Sequence, residues 1–204
     1  MTPKNEQSPT VFIVDDDAAI RFAMQALMDS VNLRHEIFSS ADEFLEQMTE
    51  QRPGCLVLDI RMPGLGGLEL QEELIKRDNT LPIIFITGHG DVPMAVDAMQ
   101  KGAVDFIQKP FRDQELLDRI REALATDEER REAQQHHAEV AARLNRLTNR
   151  EREVFDLVVT GKPNKVIAYE LGVSQRTVEI HRARVMEKMQ ARSLADLVRM
   201  HMTA

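Results

Sequence analysis

The sequence predicts an α/β chain: a five-stranded parallel sheet with flanking helices, a helical linker, and a small all-α domain of four helices. Three observations carry that reading. Through the first half of the chain, short β-branched or apolar runs alternate with amphipathic stretches, the pattern of strands and helices packed as a parallel sheet. From Phe111 to Thr160 there is neither Gly nor Pro, and Asp127–His137 is densely charged and strongly helix-forming, so the connection reads as helix. Beyond Leu147 the periodicity is helical throughout.

The strands are expected at Val11–Val14, His35–Phe38, Cys55–Leu58, Ile83–Ile86 and Val104–Ile107, each short enough for a buried parallel strand. Between them run five helical stripes: Ile20, Met24, Leu27 and Met28; Phe44, Leu45 and Met48; Leu68, Leu70, Leu74 and Ile75; Met94, Val96 and Met99; and Leu116, Leu117, Ile120 and Leu124. In the linker, Val140, Leu144 and Leu147 follow a 4-then-3 spacing, compatible with a short coiled-coil seam between two chains or with a solvated spacer helix. Thr148, with Glu151 three residues on, is a capping box for a helix through Thr160 that Gly161 ends. A second helix, Asn164–Leu171, stops at Gly172; Ser174 caps a third running to about Gln190, and Ser193 a fourth. Helix, tight turn with Gly, and capped basic helix make a helix-turn-helix pattern. The expected divisions are a tail over 1–8, the α/β domain over 9–125, the linker over 126–142 and the helical domain over 143–204.

With 204 residues, 43% of them hydrophobic and 29% charged, the chain has enough apolar material for two cores and no low-complexity tract. No apolar run approaches the roughly 18 residues that cross a bilayer, and the N-terminus lacks the apolar stretch of a secretion signal, so a cytoplasmic protein with no membrane partner is expected. The single cysteine, Cys55, permits no intrachain disulfide and fits a buried apolar role. The net charge of -8 is unevenly divided. Residues 1–126 carry 12 Lys and Arg against 22 Asp and Glu, net -10, while residues 144–204 carry 11 against 7, net +4. A basic piece joined to an acidic one is compatible with nucleic-acid binding by the former.

In open parallel sheets ligands gather beyond the C-terminal ends of the strands. The first strand ends in Asp15, Asp16 and Asp17, the third in Asp59, the fourth in Thr87, and the fifth is followed by Lys109. Carboxylates converging on one edge call for a hard cation among them, Mg2+ or Mn2+. Lys109 and Thr87 supply what a transferred phosphoryl group needs: positive charge and a hydroxyl hydrogen bond. Asp17 reads as the N-cap of the first helix.

The runs VFIVDDDAAIR, LVLDIRMPGLGGLEL and ITGHGDVPMAVDAMQKGAVDFIQKPF resemble the flavodoxin-like receiver domain of two-component response regulators, and in particular the FixJ branch, over about residues 9–125. That resemblance implies that Asp59 is the phosphoacceptor, that Asp15, Asp16, Asp59 and the backbone carbonyl of Arg61 hold the metal, and that Lys109 pairs with the phosphoryl oxygens. It also implies that Thr87 swings toward the phosphoryl group and Phe106 turns inward, remodelling a face of the fourth helix, fifth strand and fifth helix that is the family's usual dimer surface. Phe106 reads equally well as plain core. His89 lies where such domains vary.

The stretch LTNREREVFDLVVTGKPNKVIAYELGVSQRTVEIHRARVMEKMQARSLADLVRM resembles the LuxR-type helix-turn-helix over roughly residues 143–202, departing at Asn149, where Pro is frequent. On the third helix Val178, Val185 and Met189 share one side and are expected to face the core. Arg176, Glu179, Ile180 and Ala183 then point away toward a major groove, with Ser174 and Thr177 at the helix start, while Arg182, Arg184 and Lys188 reach for phosphates. Asn164 and Lys165 suit a phosphate at the second helix's N-terminus. His181 reads equally as packing residue or contact.

The resemblance thus implies a transcription regulator rather than a turnover enzyme, with self-phosphotransfer and autodephosphorylation at Asp59 its only chemistry. Its partners would be a sensor histidine kinase, double-stranded promoter DNA, a second copy of the chain when phosphorylated, and RNA polymerase. Two other readings remain: a metal-dependent phosphohydrolase using Asp59, and a receiver scaffold whose helical domain binds protein. Against the first, Arg61 occupies the position two residues after Asp59 where a general acid would stand.

Overall fold

The computed structural model describes residues 8–48, 51–88 and 92–203, and divides into two units, Met1–Arg130 and Arg131–Ala204. The first unit holds five parallel strands, β1 (Thr10–Val14), β2 (His35–Phe38), β3 (Gly54–Asp59), β4 (Ile83–Thr87) and β5 (Asp105–Gln108), in the order β2-β1-β3-β4-β5. Because successive side chains of a strand leave on opposite faces, β1 feeds two cores at once. Phe12 and Val14 join Phe38, Phe44, Leu56, Leu58, Leu70 and Phe85 on one face. Val11 and Ile13 join Met24, Met28, Val57, Ile84, Ile86, Leu116 and Ile120 on the other. Helices α2 (Ala41–Gln47), α3 (Gly67–Lys76) and α4 (Val92–Gln100) contribute to the first core, α1 (Ala18–Ser30) and α5 (Asp113–Leu144) to the second. The strand order reverses between β1 and β3, so the chain leaves those two strands toward opposite faces and opens a crevice at their C-terminal ends.

Two stripes depart from the sequence reading. On α4 the buried residues are Ala95 and Ala98, while Val96 and Met99 are exposed. Small side chains let a helix sit close to a sheet, and there proximity outweighs side-chain hydrophobicity. On α3, Ile75 is half-exposed and Gln71 is buried in the row with Leu70 and Leu74, its Nε2 donating to the Ala98 carbonyl of α4 at 3.1 Å. A buried amide that finds a partner can take a core position.

Helix α5 runs unbroken for 32 residues, and its burial changes along the way. Leu116, Ile120, Ala123 and Asp127 are buried, residues 132–139 are exposed, and Val140 and Leu144 are buried again. Val140 and Leu144 belong to the core of the second unit, with Phe155, Val158, Ile167, Val178, Val185 and Leu197. The stripe expected to be an inter-chain seam or a solvated spacer therefore serves neither purpose, and the helical unit's core begins before residue 143. Four more helices complete that unit: α6 (Asn149–Val159), α7 (Asn164–Leu171), α8 (Gln175–Met189) and α9 (Leu194–Thr203). The capping box at Thr148 and Glu151, the left-handed Gly172 (φ 65°) and the Ser174 cap all form as expected.

Val140→Ala is expected to destabilise the second unit by about 2 kcal/mol in denaturant unfolding, because it opens a cavity in a closed core. Glu139→Ala, one residue earlier on the exposed stretch, is expected to stay within about 0.5 kcal/mol.

Candidate functional site

The crevice at the strand ends gathers Asp15, Asp59, Thr87 and Lys109 from four different strands. Asp15, Asp59 and Thr87 are all buried. The Lys109 ammonium stands between the two carboxylates, donating to Asp59 Oδ1 at 2.6 Å and to Asp15 Oδ2 at 3.0 Å. The other oxygens are also held: the Arg61 backbone N–H donates to Asp59 Oδ2 at 2.9 Å, and the Asp17 N–H to Asp15 Oδ1 at 2.8 Å. Burial pushes the Asp59 carboxyl above the usual carboxylate range, against the pull of Lys109 and the Arg61 N–H. Burial also works against the Lys109 ammonium, but its hydrogen bonds to Asp59 and Asp15 outweigh that and hold it above the ordinary lysine value.

The backbone is fitted closely around this point. Gly67 opens α3 directly over the end of β3, its N–H donating to the Ile60 carbonyl at 3.0 Å, and a Cβ there would stand 2.4 Å from the Asp59 carbonyl oxygen. Asp17 caps α1 by accepting from the Ala19 N–H at 2.8 Å, the role its position suggests. Arg21, which sequence reasoning did not single out, donates from Nη1 to the Asp15 backbone carbonyl at 2.8 Å and steadies the acidic loop. Its only sequence signal is its position one turn after the Asp17 cap.

Asp16 is exposed, and among the described residues no three acidic, imidazole or thiol groups are arranged to hold a metal ion. The donor set nevertheless suits a hard divalent cation, since it offers oxygen only and two of its carboxylates already share one cationic atom. Thr87 donates its hydroxyl to the Gly88 carbonyl at 2.9 Å. Phe106, on β5, is 40% exposed, so the reading of it as plain core is set aside. His89 falls outside the described residues.

In the second unit, α8 buries Val178, Val185 and Met189 and leaves Arg176, Glu179, Ile180, Ala183 and Arg184 outward. Ser174 and Thr177 are engaged in the cap: the Thr177 N–H donates to Ser174 Oγ at 3.1 Å, and the two hydroxyls lie 2.9 Å apart. Arg182 donates to Asn164 Oδ1 at 3.1 Å, tying α8 to the first residue of α7. The N-cap of α7 is Pro163, with no side-chain cap, and Lys165 beside it is exposed. His181 is half-buried, with Nδ1 enclosed and without a hydrogen-bond partner. Lys188, expected among the phosphate contacts, is turned into its own unit, donating to Glu151 Oε2 at 2.5 Å and to the Arg146 carbonyl at 3.1 Å. Leaving that position would strand a buried carboxylate, which is costly. The partners lie 37 residues apart, so no local pattern pairs them.

Comparison with known proteins fits both units. Residues 11–121 match the response regulator receiver domain family, and residues 145–201 the luxR family of bacterial regulatory proteins. The chain belongs to the two-component response regulators. It is 51% identical over 193 residues to nodulation protein W of Bradyrhizobium diazoefficiens, covering 95% of this chain and 85% of that one. It is 43% identical over 194 residues to the transcriptional regulatory protein FixJ of the same organism, covering 95% of each. Among solved structures, response regulator StyR superposes with a TM-score of 0.89 at 45% identity, covering 96% of this chain and 99% of that one. Full-length FixJ from B. japonicum gives 0.62 at 42% identity, covering 96% and 97%. This response regulator is a transcription factor with a receiver domain and a LuxR-type helix-turn-helix, a composition that implies a histidine kinase and DNA as partners. No helix among its described residues is long and apolar enough to cross a membrane.

The Lys188 ammonium and the Thr148 N–H draw the Glu151 carboxyl down to about 2. A carboxylate depressed in the fold stabilises fully above the ordinary value near 4.5, and that contribution is lost as pH falls toward 2. Glu151→Ala is expected to cost the helical unit about 3 kcal/mol at pH 7 in denaturant unfolding, and to flatten its stability profile between those two pH values.

Proposed function

We propose that the regulator is switched by phosphoryl transfer from a sensor histidine kinase to Asp59. The observation that carries this reading is the nearly buried Asp59 carboxylate at the end of β3, held by the Lys109 ammonium and by a backbone N–H. A carboxylate oxygen forms the new bond to phosphorus as the bond to the donor nitrogen breaks, and the electron pair leaves with the imidazole. Asp15, Asp16, Asp59 and the backbone carbonyl of Arg61 would hold Mg2+ or Mn2+, which when bound supplies neutralisation of charge on the equatorial phosphoryl oxygens. Lys109 is placed to exchange its carboxylate partners for phosphoryl oxygens, and Thr87 to exchange the Gly88 carbonyl for another. The regulator acts on itself alone: it takes up the group and loses it again to water.

The acyl phosphate adds roughly two negative charges at one loop cluster, enough to bias a two-state element by a few kcal/mol. That element is the face of α4 and β5, whose Val96, Met99 and Phe106 are each exposed. Inward rotation of Phe106 into space that Thr87 leaves reshapes this face for pairing with a second copy. The paired regulator, in the cytoplasm, would lay α8 of each copy in the major groove of promoter DNA. Arg176, Glu179, Ile180 and Ala183 would read base edges, Ser174 and Thr177 would mark the helix start, and Arg182, Arg184, Lys165 and the N-terminal amides of α7 would meet phosphates. Lys188 supports that surface from behind, and the bound dimer would present itself to RNA polymerase.

With acetyl phosphate and Mg2+, the wild-type chain is expected to gain one covalent phosphoryl group by mass, sediment as a dimer and bind promoter fragments more tightly at fixed salt. Asp59→Asn is expected to show none of these changes, and covalent phosphate on that variant would refute the assignment. In the phosphorylated protein, Arg176→Ala is expected to cost about 1–3 kcal/mol of DNA affinity and to relax sequence preference at one base pair. Arg184→Ala is expected instead to weaken all sequences alike and to lower the slope of affinity against salt by about one unit.

A further inference from the structure

The stripe that docks α5 on the sheet of the first unit is apolar at Leu116, Ile120 and Ala123, and then continues on the same face at Asp127 and Arg130. A charged residue at a core position requires an explanation, because it must be compensated there. Asp127 is 1% exposed; its Oδ2 accepts the backbone N–H of Gly54 at 2.9 Å, and its Oδ1 accepts from Arg130 Nη2 at 2.7 Å. Gly54 is the first residue of β3, and the approach of β1 requires glycine there. Its φ of 149° is one that side-chain-bearing residues rarely adopt, and a Cβ there would stand 1.9 Å from the Thr10 carbonyl oxygen of β1. The neighbouring Cys55 thiol is pushed up to about 12 by burial and by the Asp127 charge. Beyond Arg130 no face of α5 is covered over residues 132–139, all of which are exposed.

We propose that Asp127 is a positioning residue that clamps the linker helix to the phosphoacceptor strand, so that β3 carries the switch at one end and the root of the linker at the other. The strand pairs with β1 over Gly54–Leu58 and with β4 over Leu56–Asp59, so one continuous ladder runs from the Gly54 end to Asp59. A displacement produced at Asp59 is therefore delivered to the Gly54 amide and, through Asp127, to the helix that leads to the DNA-binding unit. The coupling part rests on Asp59 being the phosphoacceptor; the clamp itself does not.

The test uses the full chain. In Asp127→Ala, exchange of the Gly54 amide with solvent, read by NMR, is expected to accelerate at least about tenfold as the buried acceptor is lost. Phosphoryl uptake from acetyl phosphate is expected to stay within about twofold, and the gain in DNA affinity on phosphorylation to fall about fivefold or more. Asp127→Asn, which keeps an acceptor oxygen for Gly54, is expected to restore both protection and most of that gain. A freed Gly54 amide with the full gain in affinity overturns the proposal, as does a Gly54 amide already unprotected in the wild type. Should Asp127→Ala not fold, Arg130→Met loosens the clamp from its exposed side, and unchanged exchange and coupling in that variant count against it. Failure of the wild type to take up phosphate removes the Asp59 reading and the coupling with it, whereas protection of the Gly54 amide is read independently.

Discussion

The Lys109 ammonium between Asp15 and Asp59 is the interaction on which the first unit is organised. Two buried carboxylates facing one crevice repel by an amount on the order of a few kcal/mol at the effective dielectric of a protein interior, and one shared cation reverses the sign. The arrangement is possible because the strand order reverses between β1 and β3, which brings the ends of nonadjacent stretches of chain to one point and leaves room above them. The details that surround it serve its geometry. Asp17 and Arg21 fix the loop that carries Asp15, and Gly67 lets α3 begin against the backbone of Asp59. The site is held by charge balance.

Charge compensation organises the second unit as well, for a different purpose. Glu151 satisfies the start of α6 through the capping box and at the same time receives Lys188 from α8. The ion pair and the Arg182–Asn164 hydrogen bond tie α8 to both helices before it. A helix whose outward face is exposed needs such support, because that face can contribute no packing of its own. Basic residues on one helix therefore divide into those that face outward and those that hold the helix in place.

Helix α5 shows how one continuous element takes part in two structures. Its first turns belong to the core of the sheet, its last to the core of the helical unit, and the charged residues 132–139 between them lie in solvent. Asp127 and Arg130 mark where the first role ends. Composition alone made the whole stretch from Asp127 onward look like a uniform linker, since a buried, partnered Asp and a solvated one are the same letter.

The sequence by itself determined the elements and which residues meet at the crevice. Strand and helix periodicities placed β1 to β5 and α6 to α9, local capping signals at Thr148, Gly172 and Ser174 set the helix ends, and four chemically matched residues at four strand ends marked the crevice. Those signals are local, or depend only on which end of a strand a residue occupies. Tertiary structure alone decided which side of α4 is buried, that Phe106 faces outward, that Lys188 answers Glu151, that Val140 is core, and that Asp127 reaches back to Gly54. Each of these depends on how closely two distant segments approach, and that distance is set by packing and charge compensation across the fold rather than by any spacing along the chain.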